Sequence, residues 1–183
     1  MPSLGMAKFV DPPKGRLIVS ILYASVDAVA EALGMLERRF GRVEHETAGR
    51  RANCREQYYE EMGRPLHIRF FSFERPVGRE TLPEIKALCR KIESKYSDRV
   101  NDFMFRTVNI DPGILTTENL VMAAGHDRRH RIYLRDGVYA ETALIHSKGQ
   151  FTRLPWTAED YCHEDAIDLF ERTRQVFELV AVN

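Results

Sequence analysis

Residues Arg106 to Ala143 read RTVNIDPGILTTENLVMAAGHDRRHRIYLRDGVYAETA, a run dense in turn signals and polar side chains. A strand over Val108-Asn109-Ile110 runs into Asp111-Pro112-Gly113, where proline fixes the backbone and glycine permits a positive φ. Thr116 opens a short helix that Gly125 closes. Asp136-Gly137, between HRIYLR and VYAETALIH, signals a two-residue hairpin, because both turn positions need positive φ. Ser147-Lys148-Gly149 marks a second hairpin. Strands joined by hairpins argue for an antiparallel sheet here rather than a parallel one.

Upstream, RLIVSILY (16–23) is an apolar run suited to a central strand covered on both faces. Ser25 is placed as an N-cap for a helix carrying Val26, Val29, Ala30, Leu33, Leu36 and Phe40 at helical spacing, ended by Gly41. Arg42 to Thr47 reads as an edge strand, Ala48 to Arg55 as a loop with Arg50 and Arg51 exposed, and Gln57 to Gly63 as a short helical turn. LHIRFFSF (66–73) is a strand. Thr81-Leu82-Pro83-Glu84 has the form of a capping box opening a second amphipathic helix, and Asp102 to Ile110 is the next strand. A last helix with Ile167, Phe170, Arg174 and Phe177 begins after Thr157, and Trp156 is expected to anchor it to the sheet. The order is β-α-β-β-α-β, a short helix, a β-meander and a helix. It predicts an α+β fold, with a mostly antiparallel sheet, helices packed on one face and a ferredoxin-like first half. Residues 1–15 read as a flexible lead-in and 16–183 as a single domain.

Composition narrows the function classes. The chain has 183 residues, with 27 basic and 27 acidic side chains. That zero balance gives no general attraction to nucleic acid or to an anionic membrane. LHIRFFSF also lacks the spacing and glycine of an RNA-recognition strand, which leaves RNA binding a minor alternative. No window approaches the roughly 20 apolar residues needed to span a bilayer, and the N-terminus has no signal-peptide pattern. Cys54, Cys89 and Cys162 are few, odd in number and far apart, which fits a reducing, cytoplasmic setting. The sequence carries no signal of oligomeric state.

The hairpin supplies a geometric expectation about chemistry. A two-residue loop pairs Arg135 with Val138; counting outward sets Leu134 opposite Tyr139 and Ile132 opposite Glu141. One face then carries His130, Ile132, Leu134, Tyr139 and Glu141, and His130 and Glu141 become diagonal neighbours. An imidazole held by a carboxylate suits a general base or a metal ligand, and equally a structural buried pair. Asp111, aimed by Pro112 and Gly113, is a second acid or a ligand for a divalent metal, or else it caps its own turn. Asn109 and Tyr139 line the same cleft, and Arg128, with His126, Asp127 and Arg129 beside it, offers an anion contact or a solvated loop. Arg131 falls on the opposite hairpin face from His130. Tyr58 and Tyr59 belong to a ligand-covering loop or to an ordinary helical turn. The functional expectation is a small-molecule-binding protein, with enzymatic activity open, acting on a polar or phosphorylated metabolite around Asp111, His130 and Glu141. Its rival is a non-catalytic protein-interaction module.

The strings VNIDPG (108–113), HRIYL (130–134), YAE (139–141) and PWT (155–157), with Y-Y-x-x-M-G at Tyr58 to Gly63 and F-x-S-F-E at Phe70 to Glu74, resemble a bacterial family known as domain of unknown function 4416. The resemblance covers the chain from about Arg16 to Phe177 and implies no particular reaction. It brings a GTP-binding label used for some relatives. The chain has neither a G-x-x-x-x-G-K-[ST] loop to cradle phosphates nor an N-K-x-D element for guanine.

Overall fold

The computed structural model describes residues 9–100 and 103–181. The first eight residues of the expected lead-in, and Asp102, the expected start of a strand, lie outside them. In chain order the elements are β1 (Gly15–Tyr23), α1 (Val26–Phe40), β2 (Val43–Glu46), β3 (Arg50–Arg51), α2 (Glu56–Met62), β4 (His67–Val77), α3 (Leu82–Lys95), β5 (Ser97–Val100), β6 (Phe103–Arg106), β7 (Val108–Leu115), β8 (Asn119–Ala124), β9 (Ile132–Arg135), β10 (Val138–Ser147), β11 (Gln150–Arg153) and α4 (Glu164–Ala181). The main sheet runs β11-β10-β8-β7-β1-β4-β2, with β3 added to β4 and β9 to β10, while β5 and β6 form their own hairpin. All of these pairings are antiparallel.

The segment β7-β1-β4-β2, with α1 and α3 as its crossovers, has the expected ferredoxin-like order. β8, β10 and β11 extend it as the expected meander. Every residue of β1 is buried, as its unbroken apolar run predicts. Leu17, Val19 and Ile21 face one core layer with α1 and α3, while Ile18 and Leu22 face another with α4. The α+β class therefore holds, with the helices divided between both faces. A central strand apolar at successive positions requires cover on each side.

Several local expectations change. VNIDPG does not end a strand: each residue from Val108 to Leu115 is paired with β1, Asp111 opposite Ser20 and Pro112 opposite Val19. Gly113 lacks a positive φ; its role is close approach. A Cβ there would run into Met122 Sδ and come within 2.9 Å of the Val121 carbonyl. Gly113→Ala is expected to cost about 1–3 kcal/mol by overpacking, read from urea unfolding. Unchanged stability would mean Met122 moves aside freely.

The expected short helix after Thr116 is β8. Thr116 Oγ1 accepts the backbone N–H groups of Glu118 and Asn119, each at 3.1 Å. This bonding closes a β7–β8 turn and resembles an N-cap in sequence, because the same side-chain oxygen serves either structure. Leu120 and Met122 then alternate into the core. Thr81 forms no capping box: its hydroxyl donates to the Gly78 carbonyl at 2.7 Å, and Glu84 pairs with Arg135 instead. Ser25 takes the N-cap position without a side-chain cap bond. Arg50 is not a loose loop residue. It lies on β3, its Nη1 2.6 Å from Asp160 Oδ1 and its Nε 3.3 Å from Asp165 Oδ1.

The hairpin turn forms as expected, with φ of 54° at Asp136 and 72° at Gly137. Its register does not. Arg135 faces Val138, but Tyr139 faces Tyr133 and Ala140 faces Ile132, leaving Leu134 as an extra residue. Such a bulge twists an edge strand and carries every later residue out of simple alternation. Glu141 sits opposite Met122 of β8 rather than Ile132.

Candidate functional site

A cavity of about 560 Å³ opens where β7 and β8 part. Their ladder ends at Gly113 opposite Met122. Below it, the Ile110 N–H donates to Glu93 Oε1 at 2.6 Å, and the Ile110 carbonyl accepts from Lys86 Nζ at 3.1 Å. Both groups thus point away from β1. Residues two apart on a strand present their N–H groups to the same edge, so Pro112 stands at that edge with no N–H to give. β8 diverges, and α3 supplies the missing partners from two turns of one helix face.

Asp111 lies on the Ser20 side of the sheet. Lys86 Nζ reaches round the open edge to its Oδ1 at 2.6 Å, and Asn109 Nδ2 donates to its Oδ2 at 2.7 Å. Burial opposes charge on Asp111, yet Lys86 and Asn109 outweigh it and hold the carboxyl below the ordinary aspartate range. Burial likewise disfavours the Lys86 ammonium, but Asp111 and Glu93 keep its pKa raised. Glu93 is pushed up by burial despite Lys86; its Oε2 accepts from Arg106 Nη1 at 3.1 Å. Arg106 also holds Glu61, Nε to Oε1 at 2.7 Å. Ser20 Oγ and the Tyr161 hydroxyl lie 3.0 Å apart on the floor, and burial drives the Tyr161 phenol far above its ordinary pKa, so it stays protonated.

The opposite wall comes from β10 and the loop before β9. Glu141 Oε2 accepts from Arg131 Nε at 2.6 Å and lies 2.9 Å from His130 Nε2. A carboxylate acceptor there places the imidazole proton on Nε2 and leaves Nδ1 as the basic nitrogen. Trp156 stacks on His130, with centroids 4.7 Å apart and planes 8° apart, and its Nε1 donates to the Thr142 carbonyl at 2.9 Å. Trp156 therefore braces the histidine and also ties the segment before α4 to β10.

The charge ledger of the lining is uneven. Its four carboxylates are each paired: Asp111 with Lys86, Glu93 with Arg106, Glu141 with Arg131, and Asp160 with Arg50. Arg55, Arg90 and Arg128 also line the cavity, and their side chains make no ion pair or hydrogen bond among the described residues. Burial and then Arg131, Arg128 and Arg55 hold the His126 pKa down, so positive charge converges on one part of the mouth.

Of the residues expected at the site, Asn109, Asp111, Arg128, His130 and Glu141 meet in this cavity. Tyr139 does not line it; the bulge turns it onto Tyr133, rings 5.2 Å apart. Arg131, expected on the far face, lines the cavity because it precedes β9 and is free of strand alternation. Tyr58, for which a ligand-covering loop and an ordinary helical turn were the two expectations, lies on helix α2 and lines the cavity, while Lys86, Glu93 and Tyr161 are lining residues that sequence reasoning did not choose. A lysine and a glutamate on the apolar stripe of α3, and a serine inside RLIVSILY, were signals that could have found this region. Among the described residues no group of three or more His, Cys, Asp or Glu side chains is arranged to hold a metal ion, and the lining carboxylates already bind cationic side chains.

The family model described as domain of unknown function 4416 matches residues 13–177. The chain belongs to that family. No curated protein and no solved structure matches it. In this domain of unknown function 4416 protein, VNIDPG, HRIYL, YAE, PWT and Y-Y-x-x-M-G each supply a cavity-lining side chain: Asp111, His130, Glu141, Trp156 and Tyr58. F-x-S-F-E supplies Phe70, packed beneath Tyr161 at 5.1 Å. Among the described residues no helix is long and apolar enough to cross a membrane.

Proposed function

We propose that this protein binds a small, polar, anionic metabolite in the cavity around Asp111, His130 and Glu141. The observation that carries the reading is the surplus of Arg55, Arg90 and Arg128 over the lining carboxylates. Guanidinium groups converging on a concave site favour an anion strongly, and the cavity volume suits a metabolite. His130 is the group suited to accept a proton, at Nδ1, with Glu141 fixing its tautomer and Trp156 its plane. Asp111 is suited to accept a ligand hydrogen bond. The unpaired cysteines support a cytoplasmic setting.

Calorimetry with a panel of phosphorylated and carboxylated metabolites tests this. A binder is expected, and Arg55→Ala, Arg90→Ala and Arg128→Ala should each weaken it by roughly tenfold or more, the effect of losing a charge-assisted hydrogen bond. Thermal stability should not change, since these arginines hold nothing in the fold. A panel without a binder, or affinities indifferent to all three substitutions, would sink the reading. GTP with magnesium is expected to show no guanine selectivity, because no phosphate loop or guanine element is present.

A protein-interaction role is favoured by one observation: Ile132, Tyr133 and Leu134 on edge strand β9 are all exposed. Light scattering at rising concentration, with Ile132→Ser as control, separates that role from ligand binding.

A further inference from the structure

We propose that the ligand is a phosphomonoester of a sugar or polyol, its phosphate at the mouth on Arg55 and Arg128 beside His126, its hydroxyls on the floor at Asp111 and Tyr58. This deepens the anion-binding reading and rests on it.

Phosphate fits the mouth better than carboxylate. Arg55 precedes α2, Arg90 lies on α3 and Arg128 lies in the loop before β9, so the free guanidinium groups approach from separate elements. A planar carboxylate offers two oxygens in one plane, and a single bidentate arginine can satisfy it. A phosphate ester presents three oxygens in different directions and a charge of about −1.5 to −2. It can take donors from several sides, and its charge offsets up to two of the three unpaired guanidinium groups.

Hydroxyls fit the floor. Asp111 is held ionised by Lys86, and a carboxylate has about four lone-pair sites. Lys86 and Asn109 occupy one on each oxygen, so acceptor capacity remains towards the cavity. The Tyr58 hydroxyl makes no hydrogen bond among the described residues, though burial and Asp111 raise its pKa and keep it neutral. Ser20 and Tyr161 bond to each other and retain further donor and acceptor capacity. Neutral hydroxyls beside an ionised carboxylate match a ligand whose groups both donate and accept.

The experiment is calorimetry of the purified full chain with glucose 6-phosphate, ribose 5-phosphate and glycerol 3-phosphate, against inorganic phosphate, glucose and succinate. At least one ester is expected to bind about tenfold tighter than inorganic phosphate, one or two hydroxyl contacts being enough. Tyr58→Phe removes an oxygen that holds nothing in the fold, so the variant should stay folded. It is expected to weaken that ester by several-fold and leave inorganic phosphate unchanged, while Arg55→Ala and Arg128→Ala weaken both. Esters binding no tighter than inorganic phosphate, or no loss on Tyr58→Phe, would overturn the assignment while the anion site stands. Succinate binding tightest would replace phosphate with a dicarboxylate. If no anion binds, the anion-binding reading falls and this one with it.

Discussion

Lys86→Met is expected to destabilise the protein by about 3 kcal/mol, the low end for breaking a buried ion pair, because Asp111 keeps some contact with the cavity. Methionine matches the stem but leaves the Ile110 carbonyl without its donor and Asp111 without its cation. Glu93, already disfavoured by burial, loses the same neighbour. Asp111→Asn in the Lys86→Met background should recover part of the loss, since the larger share of the penalty is an uncompensated carboxylate and not a missing attraction. The pH dependence has a definite sign. In the native protein the Asp111 pKa lies below its ordinary 3.8, so its contribution is full above that value and fades as pH falls through the lowered one. Without Lys86, only Asn109 and Arg106 still oppose the effect of burial, so the Asp111 pKa moves upward and protonation relieves the variant. The gap between the two proteins should be widest near neutrality and narrow on acidification below about pH 4. Urea unfolding at neutral and acid pH measures it; a gap that widens in acid would show that Lys86 does not hold Asp111 ionised. The raised Lys86 pKa acts only at the alkaline end, where its contribution is lost as pH rises through it.

The sequence was most legible where local chemistry and global fold agree. RLIVSILY could only be a doubly covered strand, and Asp136-Gly137 could only be a tight hairpin. The ferredoxin-like order followed from the alternation of those elements with two amphipathic helices. It was least legible where one residue type serves two geometries. Thr116 bonds its own backbone in a helix start and in a β-turn alike, and Pro112-Gly113 signals a turn or, as here, the point where one strand loses its neighbour. Neither the bulge at Leu134 nor the divergence of β8 has a local signature; both follow from how the sheet must twist and where a donor is missing. His130 and Glu141 meet as expected, but for another reason: His130 lies outside β9, so its loop and Trp156, rather than strand register, bring it to the carboxylate. Lys86 and Glu93 drew no expectation, since no rule of spacing says that the strand edge beneath a helix lacks partners.

Phe70→Ala is expected to cost about 4 kcal/mol, as for other large-to-small changes of a buried phenylalanine. Phe70 is fully buried on the α4 side, edge-on to Phe170 at 5.5 Å and to Tyr161 at 5.1 Å. Removing the ring opens a void beneath Tyr161 and withdraws the contact that sets its plane. Phe71, the next residue on β4, is equally buried but faces α1 and α3. Phe71→Ala should therefore destabilise the fold to a similar degree without touching the cavity floor. The two differ in function. Phe70→Leu, which fills most of the space and should fold, is expected to weaken whichever anion the native protein binds. Phe71→Leu should leave that affinity unchanged. Paired unfolding and calorimetric measurements decide the matter, because equal effects of both leucine variants on binding would mean that the floor responds to global stability and that Tyr161 takes no part in holding the ligand.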